Sequence, residues 1–254
     1  MITIGDIYQY LDKIAPFASQ EKWDNSGLLV GDMSRCVSGV MVTLDITIEA
    51  VEAAASQGCD LVISHHPVIF SPLKRLSPDQ PVYQLAANRM AAICSHTPMD
   101  IAAGGINDIL VTKLSKEIAL EDTVLPLDES GVGRIVTLGQ PMENAQLAGI
   151  VKNMLGCSVV RYSDAGTEIR TLGICSGSGA SMLEEIAGKC DALLTGDVKH
   201  DRWYTAKDLG MSLIDCGHYH TEVVMVSALA EKLREQFPTL KVMEWEGGDP
   251  VAYV

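Results

Sequence analysis

The chain repeats itself. Gly58-Cys59-Asp60-Leu61-Val62-Ile63-Ser64 aligns with Lys189-Cys190-Asp191-Ala192-Leu193-Leu194-Thr195, and at the same offset Asp45 meets Ser176 and His65 meets Gly196. A slightly smaller offset then aligns His96 with His218 and Asp100 with Glu222. Two matched segments in one order, sharing polar as well as apolar positions, point to an internal duplication. This narrows the fold to two related units, a first repeat over residues 1–125 and a second over 126–254. The polar stretch 121–133 is the natural boundary. The length of 254 residues suits either one large domain or two small ones.

Within each repeat, strands and helices alternate. Ile7, Leu11 and Ile14 share one face of a first helix. Val40 to Leu44 reads as a strand, Thr47 caps a helix over 48–57, and Gly58 ends it. Strands follow over 61–64 and 92–95, and helices over 81–89 and 108–119. This βαβ rhythm predicts an α/β fold with largely parallel or mixed sheets.

Composition removes several function classes. No apolar run approaches the roughly 20 residues that span a bilayer. The amino terminus lacks a basic segment followed by an apolar one, so no secretory signal is expected. Seven cysteines without C-x-x-C spacing fit reduced, mostly buried thiols in a cytoplasmic protein. The net charge of −14 and the absence of a basic cluster argue against nucleic acid as the main partner.

The chemistry sits at strand ends, where open α/β sheets collect ligands. His65-His66 closes the apolar run Leu61 to Ser64. The two rings converge on one site only if the strand stops there; otherwise each serves a different ion. His218 and Glu222, four residues apart, fit one face of a helical turn, with Thr221 as a candidate cap for Glu222. Asp100 follows a third strand end. Five of the six histidines fall in these three motifs, and imidazole is the commonest metal ligand. His65, His66, Asp100, His218 and Glu222 form the favoured set. Five ligands are too many for one catalytic zinc with an open position and suit two ions sharing a carboxylate and water. The donors are nitrogen and oxygen, so two divalent ions are expected, whether zinc, manganese, iron, nickel or magnesium. His96 is either a further ligand or a neighbour that orients one, and is the candidate catalytic proton shuttle. His220 alternates away from His218.

Three other stretches are candidates for substrate contact. Trp23, Asp24 and Asn25 form a turn that also suits the lip of a pocket for a planar ligand. Gly177, Ser178 and Gly179 follow a strand and open a helix, where backbone N–H groups can hold an anion; the alternative is a glycine turn. Asp197 and Lys199 occupy the second repeat's counterpart of the His65 strand end.

These motifs together resemble one family. Trp23 to Gly27, Leu44 to Thr47, Ser64 to Phe70, His96 to Asp100, Thr195 to Lys199 and Gly217 to Glu222 look like the Nif-three-like proteins, often described as GTP cyclohydrolase I type 2 homologues or dinuclear metal centre proteins. The resemblance implies two intertwined α/β repeats with mixed sheets. It also implies a dinuclear site held by His65, His66, Asp100, His218 and Glu222, and a toroidal homo-hexamer. It leaves the reaction open between a metal-dependent hydrolase of a nucleotide-like small molecule and a non-enzymatic metal-handling or metal-gated interaction protein.

Overall fold

A computed structural model describes residues 1–254. The chain opens with α1 (Ile4–Ile14), whose first turn is closed by a capping box. The Thr3 hydroxyl accepts from the Asp6 N–H, and the Thr3 N–H donates to the Asp6 carboxylate. Ile4, Ile7 and Leu11 face inward. Then come β1 (Gly27–Val30), β2 (Gly39–Thr43), α2 (Ile48–Ser56), β3 (Leu61–Ser64), α3 (Pro81–Ala87), β4 (Ala91–Cys94), α4 (Thr97–Ile101) and α5 (Ile106–Glu117). A hairpin of β5 (Leu120–Pro126) and β6 (Arg134–Met142) precedes the second cycle. That cycle is α6 (Asn144–Leu155), β7 (Arg161–Ser163), β8 (Ile169–Ile174), α7 (Leu183–Ile186), β9 (Ala192–Thr195), α8 (His200–Asp208), β10 (Ser212–Asp215), α9 (His218–Glu222), α10 (Val224–Gln236) and β11 (Lys241–Trp245).

Two mixed sheets result. The first has the order β1-β4-β3-β2-β11, with β1 antiparallel and the other four strands parallel. The second has the order β5-β6-β8-β9-β10-β7, with β8, β9 and β10 parallel. β7 lies antiparallel on β10, and β6 antiparallel on β8. The series β1-β4-β3-β2 and β7-β10-β9-β8 match strand for strand and direction for direction, so the sheets carry the duplication visible in the sequence.

By contacts, the chain divides into a first unit of Met1–Ala103 with Met225–Gly248 and a second of Gly104–Val224 with Asp249–Val254. The last long helix of each cycle and the strand or strands after it therefore belong to the other unit: α5, β5 and β6 to the second, α10 and β11 to the first. Five of the parallel strands, β2, β3, β4, β9 and β10, are buried along their whole length, as expected where helices cover a sheet. Met41, Val51, Val62 and Leu85 lie in the core of the first unit, and Leu127, Leu183, Leu193 and Leu213 in that of the second. No helix is long and apolar enough to cross a membrane.

Two local expectations are corrected. The stretch 121–133 is not simply a connection, because Leu120–Pro126 forms the edge strand β5. Its residues are almost all exposed, so no alternation of buried and exposed positions marks it in the sequence. Thr221 is not a cap. It lies inside α9, where its hydroxyl accepts from the Gly177 N–H and faces the carbonyls of Gly217 and His218.

Candidate metal centre

In the first unit, the carboxyl ends of three parallel strands supply the site. β3 stops at Ser64, and the His65 and His66 N–H groups donate to the carbonyls of consecutive residues, Thr43 and Leu44. The alternation of the ladder is broken there. Both rings consequently converge, with centroids 4.9 Å apart. His96, at the start of α4, brings a third ring 5.0 Å from His65 and 5.5 Å from His66. One ring nitrogen of each lies within 4.8 Å of the others, a spacing that could hold a cation. Asp100 lies in α4 rather than in an open turn, with its carboxylate 3.8 Å from His65 Nε2.

Each imidazole has its Nδ1 engaged by a defined acceptor. His65 Nδ1 lies 3.2 Å from the Ser95 carbonyl, His66 Nδ1 2.8 Å from Asp45, and His96 Nδ1 2.8 Å from Asp24. A carbonyl or carboxylate on one ring nitrogen fixes the ring's orientation and makes the other, Nε2, the nitrogen that could meet a cation or a proton. The side chain of Asp24 is fully buried. Burial alone would raise its pKa. The hydrogen bonds from His96 and Thr97, the proximity of His96 and the Asn25 N–H outweigh burial and hold this carboxyl well below the usual range.

In the second unit, β10 is followed by Gly217, in the left-handed region at φ +78°, and then by α9. His218 and Glu222 sit one turn apart on α9, as their spacing predicts, with Nε2 2.9 Å from Oε2. His218 Nδ1 lies 2.9 Å from Asp197, itself left-handed at φ +52°. Asp197 thus fixes the orientation of the His218 ring. Gly177 explains the glycine loop: a Cβ there would lie 2.2 Å from Glu222 Oε1. The amides that an anion would need are already committed, Gly177 N–H to Thr221 Oγ1 at 3.0 Å and Gly179 N–H to Thr195 Oγ1 at 2.8 Å. The loop is therefore a support for Glu222, and the anion-cradle reading of Gly177 and Gly179 is set aside. Ser178, Asp197 and Lys199 instead line a cleft of about 390 Å³ with Arg202, whose guanidinium pairs with Glu184 and Asp201.

The donor set fits divalent ions. The orienting acceptors leave imidazole nitrogen and carboxylate oxygen as ligands, and the nearest thiol, Cys94, is pushed up by burial and stays protonated. Asp45 and Phe70 were not singled out by the residue pattern. Asp45 sits just past a parallel strand, the position that marked the histidines, and that signal was available. His220 faces Asp249 at 3.7 Å, within the second unit.

Residues 2–249 match the family model described as Duf34/NIF3 (NGG1p interacting factor 3). The chain belongs to the DUF34/NIF3 family. A Clostridium perfringens member named GTP cyclohydrolase 1 type 2 homolog is 29% identical over 99% of each chain. A Helicobacter pylori member named GTP cyclohydrolase 1 type 2 is 32% identical over 92% of each. The crystal structure of a Staphylococcus aureus hypothetical protein superposes with a TM-score of 0.89 at 26% identity, covering 99% of each chain. The duplicated α/β fold with two mixed sheets is shared with NIF3 proteins, and this member carries histidine and carboxylate groups able to hold metal.

Proposed function

We propose that this DUF34/NIF3 protein is a hydrolase dependent on two divalent ions, with His65, His66, Asp100, His218 and Glu222 as ligands and a nucleotide-like small molecule as substrate. One observation carries the reading. The Nδ1 atoms of His65, His66 and His218 each meet a separate oxygen acceptor within their own unit, which is how metal-binding imidazoles are aimed. Bound divalent ions supply Lewis-acid polarisation and a water whose pKa lies near neutrality. The protein's part is to orient the ligands and manage the proton. His96, held on the buried Asp24 and beside His65 and His66, is placed to take a proton from the attacking water and return it to the leaving nitrogen. Opening a purine-type ring in this way consumes one water for each C–N bond cleaved. The names of the relatives support a purine nucleotide as the first substrate to try.

A homo-hexameric ring, on the family resemblance, and a cytoplasmic location, on the reduced cysteines, complete the proposal. The net charge of −14 favours a small-molecule partner over nucleic acid. The test is metal content and GTP hydrolysis measured together on aerobically and anaerobically purified wild type, His66→Ala and Glu222→Ala. Two ions per chain and turnover in wild type, with both lost in the variants, is the expected result. Turnover retained in Glu222→Ala overturns the assignment. Two ions without hydrolysis of nucleotides, phosphoesters or peptides overturns the hydrolase and leaves a metal-handling protein.

A further inference from the structure

Beside the three histidines of the first unit, two large aromatic rings stand in solvent. Trp23 is 58% exposed and Phe70 53% exposed. Their centroids are 6.0 Å apart and tilted by 35°. Both meet His96 edge-on, Trp23 at 5.7 Å and 75° and Phe70 at 6.5 Å and 73°. The rings come from loops about 45 residues apart, yet the loops are tied together: Asn25 Nδ2 donates to the Ile69 carbonyl at 2.5 Å. The Trp23 loop is anchored again by Glu21 N–H to Thr97 Oγ1, by Ser26 N–H to Gln20 and by His96 N–H to Ser26 Oγ. Fixed backbone beneath exposed rings is the arrangement of a preorganised recognition surface.

The geometry selects the kind of ligand. Aromatic atoms stack at about 3.5–4.0 Å, so a gap of 6.0 Å between Trp23 and Phe70 is too narrow to take a third ring between them. A ligand must lie on their outward faces, as on a shelf. A charged phosphate gains little from such a surface and a sugar offers it only C–H contacts, whereas a flat heteroaromatic ring can stack on both rings. His96 borders both rings, and the His65 and His66 rings lie 5.0 and 5.5 Å from it.

We propose that Trp23 and Phe70 form a stacking shelf that binds the heteroaromatic ring of the substrate, a nucleobase or pterin, and presents its polar edge to His96. This deepens the hydrolase reading and rests on it for the role of the neighbouring histidines, while the binding itself does not require turnover. Both residues are exposed, so alanine substitutions are expected to leave the fold intact.

The experiment is calorimetric titration of metal-loaded wild type, Trp23→Ala, Trp23→Phe and Phe70→Ala with guanosine, a simple pterin and ribose 5-phosphate. Metal content and solution mass are measured on the same samples. The expected result is that wild type binds guanosine or the pterin but not ribose 5-phosphate. Trp23→Ala and Phe70→Ala should each weaken that binding about tenfold. Trp23→Phe should keep most of it, with metal content and mass unchanged. The proposal is overturned if neither aromatic compound binds, if ribose 5-phosphate binds as well as they do, or if both alanine variants bind like wild type. It is also overturned if the substitutions change the solution mass instead of the affinity, which would make the rings an interface between copies. Tight aromatic binding without hydrolysis would remove the hydrolase reading and leave the shelf standing.

Discussion

The two repeats solve one problem in two ways. His96 and His218 occupy matching places past β4 and β10, each four residues ahead of a carboxylate and each with Nδ1 held by an aspartate. Their settings differ. The partner of His96, Asp24, is fully buried, while the partner of His218, Asp197, is 61% exposed. His96 is ringed by aromatic side chains, whereas His218 lies against Glu222 and the Gly177 backbone. The other strand end differs too. β3 runs into two histidines, but β9 runs into Gly196, where a Cβ would come within 2.6 Å of the Gly217–His218 backbone. One inserted residue, Gly217, brings that backbone across the position where the first repeat keeps an imidazole. Duplication preserved the strands that deliver side chains and left the two strand ends differently furnished, with three imidazoles and two exposed aromatic rings in the first unit and a single histidine–glutamate pair in the second.

The difference can be attacked at its strongest point. Gly196→Ala should destabilise the protein by about 3 kcal/mol, because the close neighbours are backbone atoms that cannot step aside. The melting temperature should then fall by roughly 6–12 °C. Next, Gly177→Ala should disturb the Glu222 side chain and also strain its own backbone, which sits at φ +62°. Its Cβ displaces the Glu222 carboxylate, so metal affinity should drop about 100-fold, on top of a loss of about 1–2 kcal/mol in the metal-free protein from the left-handed backbone. An unchanged metal content would separate Glu222 from the site.

Asp45→Ala and Asp197→Ala compare the orienting carboxylates of the two units. Each should weaken metal binding about 10- to 100-fold by equilibrium competition with a chelator. A loss confined to one variant would show that only one unit's histidine depends on its aspartate.

A smaller effect, about 1.5 kcal/mol, is expected from Asp24→Asn, which weakens charge-assisted hydrogen bonds. The sign of its pH dependence follows from a carboxyl held below its unfolded value near 3.9. The stabilisation is complete above about pH 4 and is lost as pH falls toward the folded-state value. Unfolding curves of wild type and Asp24→Asn should therefore lie apart at pH 5 and draw together at pH 2–3. A gap that stayed constant would mean that Asp24 is not held as a buried anion.

The weakest contrast concerns the sheet edges. Val124→Thr on the exposed strand β5 should change stability by no more than about 0.5 kcal/mol. Val242→Ala on β11, only 8% exposed, should cost about 1 kcal/mol or more.

Much of this was legible in the residues because burial leaves a periodic trace. β3 was located residue for residue, since Leu61 to Ser64 are all apolar or small and stop at histidine. The spacing of His218 and Glu222 announced one helical face, and α9 supplies it. β5 was obscured because a strand exposed along its length has the composition of a loop. Thr221 was misread because a hydroxyl beside a carboxylate looks like a cap, and only the tertiary approach of Gly177 reveals its actual partner. Asp45 stood at a strand end that the sequence pattern could have marked, whereas Phe70 depends on loops meeting across a long separation, which no local pattern records.

The return of α10 and β11 to the first unit has a consequence for the chain as it is made. β11 pairs in parallel with β2, Lys241 beside Gly39 and Trp245 beside Thr43. Until the end of the chain emerges, that flank of β2 has no neighbour, and an unpaired strand flank is a template for foreign strands. At about 5–20 residues per second, the roughly 200 residues between the partners take on the order of 10–40 s to synthesise. The nascent protein must therefore keep its first sheet unfinished, and guarded against other chains, for nearly the whole of its own translation.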